Sequence, residues 1–175
     1  MNKTLTTVSI TSGNESTALF AAGELQKYLQ KKGVSVAEGG YPISIVVDPS
    51  LAQDSYKIEA GANGMTLKGD ANGVIYGVYN FLEKYAGIRF FTPTLEICPK
   101  GDIVIPEGLV LEHDPPMKAR RLTWNSILRS ADWCVKQGVN NCDANLTAEM
   151  GGQRLNYGRL FVHTINILAE TTYPY

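Results

Sequence analysis

Arg120, Arg121, Trp124 and Asn125 stand within six residues of one another (RRLTWN). A guanidinium grips a carboxylate through two parallel hydrogen bonds, and an indole offers an apolar face with one donor. The duller reading pairs the two arginines with surface acids and packs Trp124. His163-Thr164 follows the apolar run LFV and is placed to end a strand, although a lone histidine there is more often a satisfied core or loop residue. Acid–base chemistry needs carboxylates, and the last third of the chain offers Asp132, Asp143, Glu149 and Glu170. Asp132 reads as a helix-start residue, Glu149 sits in a polar stretch, and Glu170 is near the end. None falls on a convincing strand end, so no residue of this chain is assigned a catalytic role.

Other chemistries find less support. Gly69, Gly73 and Gly77 bracket a strand-to-helix turn, but they make neither G-x-G-x-x-G nor G-K-[ST], and turn and packing duties explain them. The histidines, His113 and His163, are fifty positions apart and no H-E-x-x-H occurs. Cys98, Cys134 and Cys142 are odd in number and widely spaced, so they read as ordinary half-buried thiols. No metal and no cofactor is implied.

The elements that must position these residues begin with a strand over residues 5–10, closed by Ser12-Gly13-Asn14. Glu15 or Ser16 then starts a helix that runs to about Lys32 and stops at Gly33. Its inner stripe gathers Ala18, Ala21, Ala22, Leu25, Tyr28 and Leu29, small enough for close packing on a sheet. Residues 41–48 (YPISIVVD) form the strongest strand, and residues 56–59 and 65–68 flank a hairpin turn at Gly61-Ala62-Asn63-Gly64. The second helix begins after Asp70 and Asn72, whose side chains suit an N-terminus, and ends where Gly87 supplies a left-handed stop. Its apolar residues, from Val74 to Tyr85, fall within an arc of about 160°, with Tyr76, Asn80, Glu83 and Lys84 opposite. Gly77 in mid-helix costs ~1 kcal/mol relative to Ala, which predicts a close backbone approach as compensation. Short strands come next near 88–91, 95–98, 103–105 and 109–111. This pattern predicts an α+β fold with a mainly antiparallel or mixed sheet and both helices on one face. Leu25, Leu29, Ile45, Val47, Val78 and Leu82 form the expected core.

His113-Asp114-Pro115-Pro116 is the clearest boundary, because two prolines disfavour both helix and central strand. Beyond it, residues 121–125 read as a buried strand. Ser130 or Asp132 opens a short helix carrying Val135 and Val139 that ends near Gly138, and residues 160–168 form an apolar run of ambiguous type.

The segment GDANGVIYGVYNFLEKYAGIRFFTP resembles the N-terminal accessory domain of α-glucuronidases and related glycoside hydrolases, and more distantly the second domain of β-N-acetylhexosaminidases. The first helix (AAGELQKYL) and the linker ending in Arg120-Arg121 share in the resemblance, which covers the first two thirds of the chain well. It implies a zincin-like accessory domain over residues 1–112, a linker at 113–117, and the start of a (β/α)8 barrel over 118–175. A complete barrel needs ~250 residues, so the barrel here is unfinished. The resemblance further implies that Arg121, Trp124, Asn125 and His163 contact sugar. The family's Trp–Asp–Asn-like stretch lacks its Asp here, since Asn125 comes directly after Trp124. The catalytic acids of such enzymes lie on later barrel strands.

Lys plus Arg (16) nearly cancel Asp plus Glu (17), so no basic stripe points to nucleic acid. No apolar run is long enough for a signal peptide or a membrane span. Two functions compete. In the first, the chain is the N-terminal portion of a carbohydrate-active glycoside hydrolase, α-glucuronidase-like and inactive alone, whose partner is an oligo- or polysaccharide. In the second, it is a stand-alone non-catalytic module binding carbohydrate or protein. An incomplete barrel would leave strand edges through which copies of the chain self-associate.

Overall fold

The structure, a computed structural model, describes residues 2–121, 124–125, 129–140 and 144–152. The chain opens with β1 (Lys3–Thr4), β2 (Thr7–Ser12) and α1 (Ser16–Lys31), then β3 (Ser35–Val36) and β4 (Tyr41–Val47). Next come the hairpin strands β5 (Tyr56–Gly61) and β6 (Gly64–Gly69), and then α2 (Gly73–Tyr85). Four short strands come after it: β7 (Arg89–Thr92), β8 (Leu95–Ile97), β9 (Val104–Ile105) and β10 (Leu109–His113). A one-and-a-half-turn helix, α3 (Ala131–Lys136), lies beyond the prolines.

Six strands make a mixed sheet in the order β10-β5-β6-β4-β2-β3. The pairs β2–β3, β2–β4 and β4–β6 are parallel, whereas β5–β6 and β5–β10 are antiparallel. Parallel neighbours need a crossover, which α1 supplies between β2 and β4. The two-residue hairpin turn Ala62-Asn63 sits where the glycine-rich signal placed it, with Gly61 opposite Gly64. Burial alternates along β4: Tyr41, Ile43 and Ile45 are buried while Pro42 and Val46 are exposed. A sheet of this kind is covered on one face only. Both helices pack on that face and on each other.

The core is the one expected. Leu25, Leu29, Ile45, Val78 and Leu82 are essentially inaccessible, and Val47 is half-buried. Each such side chain contributes ~1.5–3 kcal/mol through burial. A Cβ on Gly77 would stand 3.1 Å from both Leu67 and Tyr56, so the predicted close approach of α2 to the hairpin is present. Gly33 and Gly87 have φ of 84° and 69°, the left-handed helix stops anticipated for them. The start of α2 is divided differently from expectation. Asp70 Oδ1 accepts the backbone N–H groups of Asn72 (3.2 Å) and Gly73 (2.7 Å), while the Asn72 side chain turns inward to Asp54.

The late strands divide in a way the sequence left open, and one expectation needs correction. Of the late strands only β10 joins the main sheet; β9 pairs with β1, and β7 with β8, as separate ribbons. Arg121 and Trp124 lie in no strand, and Asn125 has helical geometry, so the described part of residues 121–125 is not the buried strand expected. The short helix over Ala131–Lys136 is present, with Gly138 at φ 71° behind it. Its Cys134 and Val135, together with Val139, Ala144 and Leu146, enter the same apolar cluster as the first 112 residues.

Candidate functional site

The loop joining β4 to β5 passes across the end of β6 and carries Asp54, which is fully buried and has φ 61°. A buried carboxylate is tolerable only when its lone pairs are filled and its charge is opposed. Both conditions are met. Asn72 Nδ2 donates to Oδ1 at 3.0 Å, and Asn140 Nδ2 and Arg120 Nη2 both donate to Oδ2 at 2.8 Å. Arg120 places two further donors nearby, Nε on the Gly138 carbonyl (2.6 Å) and Nη1 on the Met117 carbonyl (2.7 Å). Its guanidinium also lies over the Tyr76 ring, 5.1 Å from the centroid. Asn140 closes the circuit by accepting the Arg120 backbone N–H (2.9 Å) and donating to the Lys118 carbonyl (2.7 Å). Four residues from four parts of the chain thus clip the segment after the prolines onto the sheet domain.

A half-open cleft of about 220 Å³ lies beside this clip, between the outer side of α2, the ends of β5 and β10, and the returning segment. Tyr56, Tyr76, Asn80, Glu83, His113 and Arg120 are among its walls. The exposed His113 ring lies 5.5 Å from the Tyr56 ring at 37°. Burial, helped by Glu83, pushes the Tyr56 phenol up to about 12. Burial and the Asp54 charge push Tyr76 higher still, with Arg120 pulling part of the way back. Both phenols are therefore protonated at neutral pH. A shallower groove of about 450 Å³ shares Tyr56 and His113 and extends to Lys57 and Glu112.

Helix α3 is tied down on the other side. Trp133 Nε1 (3.0 Å) and Gln137 Nε2 (2.8 Å) both donate to the Phe90 carbonyl. Lys136 reaches Glu96 at 3.3 Å, and the same carboxylate accepts from Tyr28 (2.6 Å) and Lys31 (2.8 Å). Burial alone would raise the Glu96 carboxyl, but the Lys31 and Tyr28 hydrogen bonds and the two ammonium charges outweigh it and hold it at about 2.

The residues singled out from the sequence separate. Arg120 is committed to the clip. Arg121 is half-buried, Trp124 is 74% exposed rather than packed, and Asn125 is exposed. His163, Asp143, Glu170 and Cys142 lie outside the described residues. Asp132 is exposed in the first turn of α3, and Glu149 is exposed with Thr147 Oγ1 at 3.4 Å. Among the described residues, no three His, Cys, Asp or Glu side chains are grouped to hold a metal ion, and no helix is long and apolar enough to cross a membrane. Asp54, Asn72 and Asn140 are not legible in the sequence as a set. Their spacing of 18 and 86 residues from Asp54 carries no local periodicity by which to find them.

The fold is one found in glycoside hydrolases. The chain is similar to a family 20 exo-β-N-acetylglucosaminidase from Vibrio harveyi, at 12% identity over 80% of this chain and 22% of that one, with TM-score 0.53. It is also similar to an N-acetyl-β-hexosaminidase from Streptomyces plicatus (16% identity, 80% and 30% covered, TM-score 0.53). A third is a chitobiase from Flavobacterium johnsoniae (17% identity, 80% and 24% covered, TM-score 0.51). The chain spans less than a third of the length of these structures. At such identities the likeness shows the fold alone. No family model matches the sequence, and no curated protein does.

Proposed function

We propose that this chain is part of a carbohydrate-active glycoside hydrolase. Residues 1–112 are its zincin-like accessory domain, residues 113–117 the linker, and residues 118–175 the opening of a (β/α)8 barrel. The observation that carries this reading is the Asp54–Arg120–Asn140 clip. The most completely built polar site among the described residues binds the chain to itself, at the junction where an accessory domain must hold the next domain of the chain. The fold likeness to family 20 enzymes and the resemblance of the Asp70 region to α-glucuronidase accessory domains support it.

In this reading the clip sets the path of the chain into Arg121, Trp124 and Asn125. Arg121 grips an oxygen pair of the sugar, the exposed Trp124 indole covers an apolar ring face, and Asn125 and His163 hydrogen-bond to hydroxyls. The catalytic carboxylates lie outside this chain, and no cofactor is required. Glycoside hydrolysis takes two carboxyl groups ~5–5.5 Å apart for retention or ~6.5–9.5 Å for inversion. The test is kinetic, on the protein encoded by the whole gene. Trp124→Ala and Arg121→Ala should lower kcat/KM for oligosaccharides or aryl glycosides by roughly 10- to 100-fold with little change in melting temperature. The 175-residue chain alone should turn over nothing. Turnover by that chain, lost on mutating Asp143 or Glu149, would overturn the reading. Glycan binding without turnover by the whole gene product would favour a non-catalytic module.

A further inference from the structure

The two ends of the main sheet are finished differently. At one end β3 is two residues long, too short to receive another strand. At the other, β10 runs five residues beside β5 in unbroken register, with neither proline nor bulge inside it. Edge strands are normally blunted by shortness, proline, bulges or charge, because their outer N–H and C=O groups invite another strand. β10 has none of the first three, and its Leu109-Val110-Leu111 is uncharged. Leu109 and Leu111 turn toward the helices, whereas Val110, 58% exposed, stands on the open face. The two-residue turn makes Gly61 and Gly64 a bonded pair, so alternation along β5 gives Tyr56, Ile58 and Ala60 to β10. Leu109, Leu111 and His113 thus spend their backbone groups on β5, and those of Val110 and Glu112 face outward. Among the described residues, no hydrogen bond from outside the strand reaches them.

The strand is complementary to itself. Residues opposite each other in an antiparallel pair share a face, so a second β10 fits only in registers that keep the two faces of the sheet. With a two-fold axis at Val110, that residue lies opposite its own counterpart on the open face. On the helix side Leu109 meets Leu111 of the second copy, and Leu111 meets Leu109. Glu112 lies beside Gly108, which has no side chain, and keeps its ion pair with Lys57 at 2.9 Å. Moving the axis to Leu111 sets the Glu112 carboxylate against Val110. Moving it to Glu112 sets two carboxylates against each other, which is destabilising. Apolar match and charge together select the register centred on Val110.

We propose that β10 is a homodimer interface, in which two copies of the chain pair antiparallel about Val110 and form one continuous sheet. Each copy uses this edge once, and the blunt β3 edge offers no way to continue, so the assembly closes at two. Five residues a side bury less than the ~1,000 Å² of a lasting interface, so the dimer is weak, with Kd on the order of 100 µM. The interface uses no residue of the clip and no strand of a barrel, and it stands whether or not the chain serves a hydrolase.

Sedimentation of the 175-residue protein from about 10 µM to 1 mM should follow a monomer–dimer equilibrium. Val110→Pro removes an outward N–H and no bond to β5, so melting should hold while dimerisation weakens about tenfold or more. Val110→Lys sets two ammonium groups against each other and should weaken it similarly. Trp124→Ala should leave it unchanged. Under mild oxidation Val110→Cys should link two copies through position 110, where bonded opposite Cα atoms stand about 5.5 Å apart, within disulfide reach. Glu112→Cys should not, because its two copies lie about 14 Å apart in this register. Peptide mapping by mass spectrometry separates these links from any at the native cysteines. A chain that stays monomeric at ~1 mM would overturn the proposal. So would a dimer that both Val110→Pro and Val110→Lys leave intact, one lost in Trp124→Ala instead, or linking through position 112 as readily as through 110.

Discussion

Asp54 is a short acid in a left-handed turn, fully buried, and every oxygen lone pair that matters is filled from residues far along the chain. Removing one partner of such a pair strands the other in a dry environment, which costs ~3–5 kcal/mol, whereas the pair's own net contribution is much smaller. Asp54→Ala and Arg120→Met should therefore each destabilise by about 3–5 kcal/mol in urea unfolding. The double variant should fall well short of the sum, with a coupling of ~1–3 kcal/mol. Single losses under about 1 kcal/mol, or strict additivity, would show that the ion pair is not what holds the clip. At this scale the sequence is legible for Arg120 as a residue of consequence but not for its job. Side by side, Arg120 and Arg121 look interchangeable, and only the return of residue 120 to residue 54 separates them.

Among the elements, α2 shows where local pattern suffices and where it fails. Its apolar arc, its start at Asp70 and its stop at Gly87 depend on neighbours within a few turns, so they can be read directly. The polar tips of Tyr76, Asn80 and Glu83 make the opposite side look solvent-facing. In the structure that side is half-covered by the segment after the prolines, an event about 40 residues away that no helical period records. The placement of β10 beside β5 is hidden for the same reason: strand order is a long-range property. Gly77 makes the contrast measurable. An exposed helix glycine gains ~1 kcal/mol on replacement by Ala. Here the added Cβ would come within 3.1 Å of Leu67 and Tyr56, against a hairpin that is itself part of the core. Gly77→Ala should therefore lower stability by about 1–2 kcal/mol, because overpacking outweighs the propensity gain. A rise in melting temperature would mean that the hairpin can give way.

In the molecule as a whole, Glu96 joins three elements that are distant in sequence: α1 through Tyr28 and Lys31, β8 on which it sits, and α3 through Lys136. Its carboxyl titrates at about 2 when folded against a usual 4.5. A depressed acid contributes stability above its unfolded value and loses it as pH falls toward the folded value. The loss here should run from about pH 4.5 down to 2, of order 1–2 kcal/mol after allowance for the solvent that reaches the site. Urea unfolding of wild type and Glu96→Gln across that range checks it. The wild type should lose the advantage that the variant never had, and parallel curves would remove Glu96 from the account. The packing of Cys134, Val135 and Val139 into the same cluster as Val78 and Leu82 adds an apolar seam to these polar ties.

Arg120 leaves the ribosome 66 residues after Asp54, about 3 to 13 s later at ordinary rates of synthesis. Through that interval the nascent sheet has a carboxylate destined for burial and no cation to set against it. The β5–β6 hairpin and α2 are made early, but seating the turn that carries Asp54 must wait for the segment that brings Arg120. The clip thereby acts as a clock on maturation: the turn at Asp54 settles against the sheet only once the chain has committed to the segment beyond its prolines.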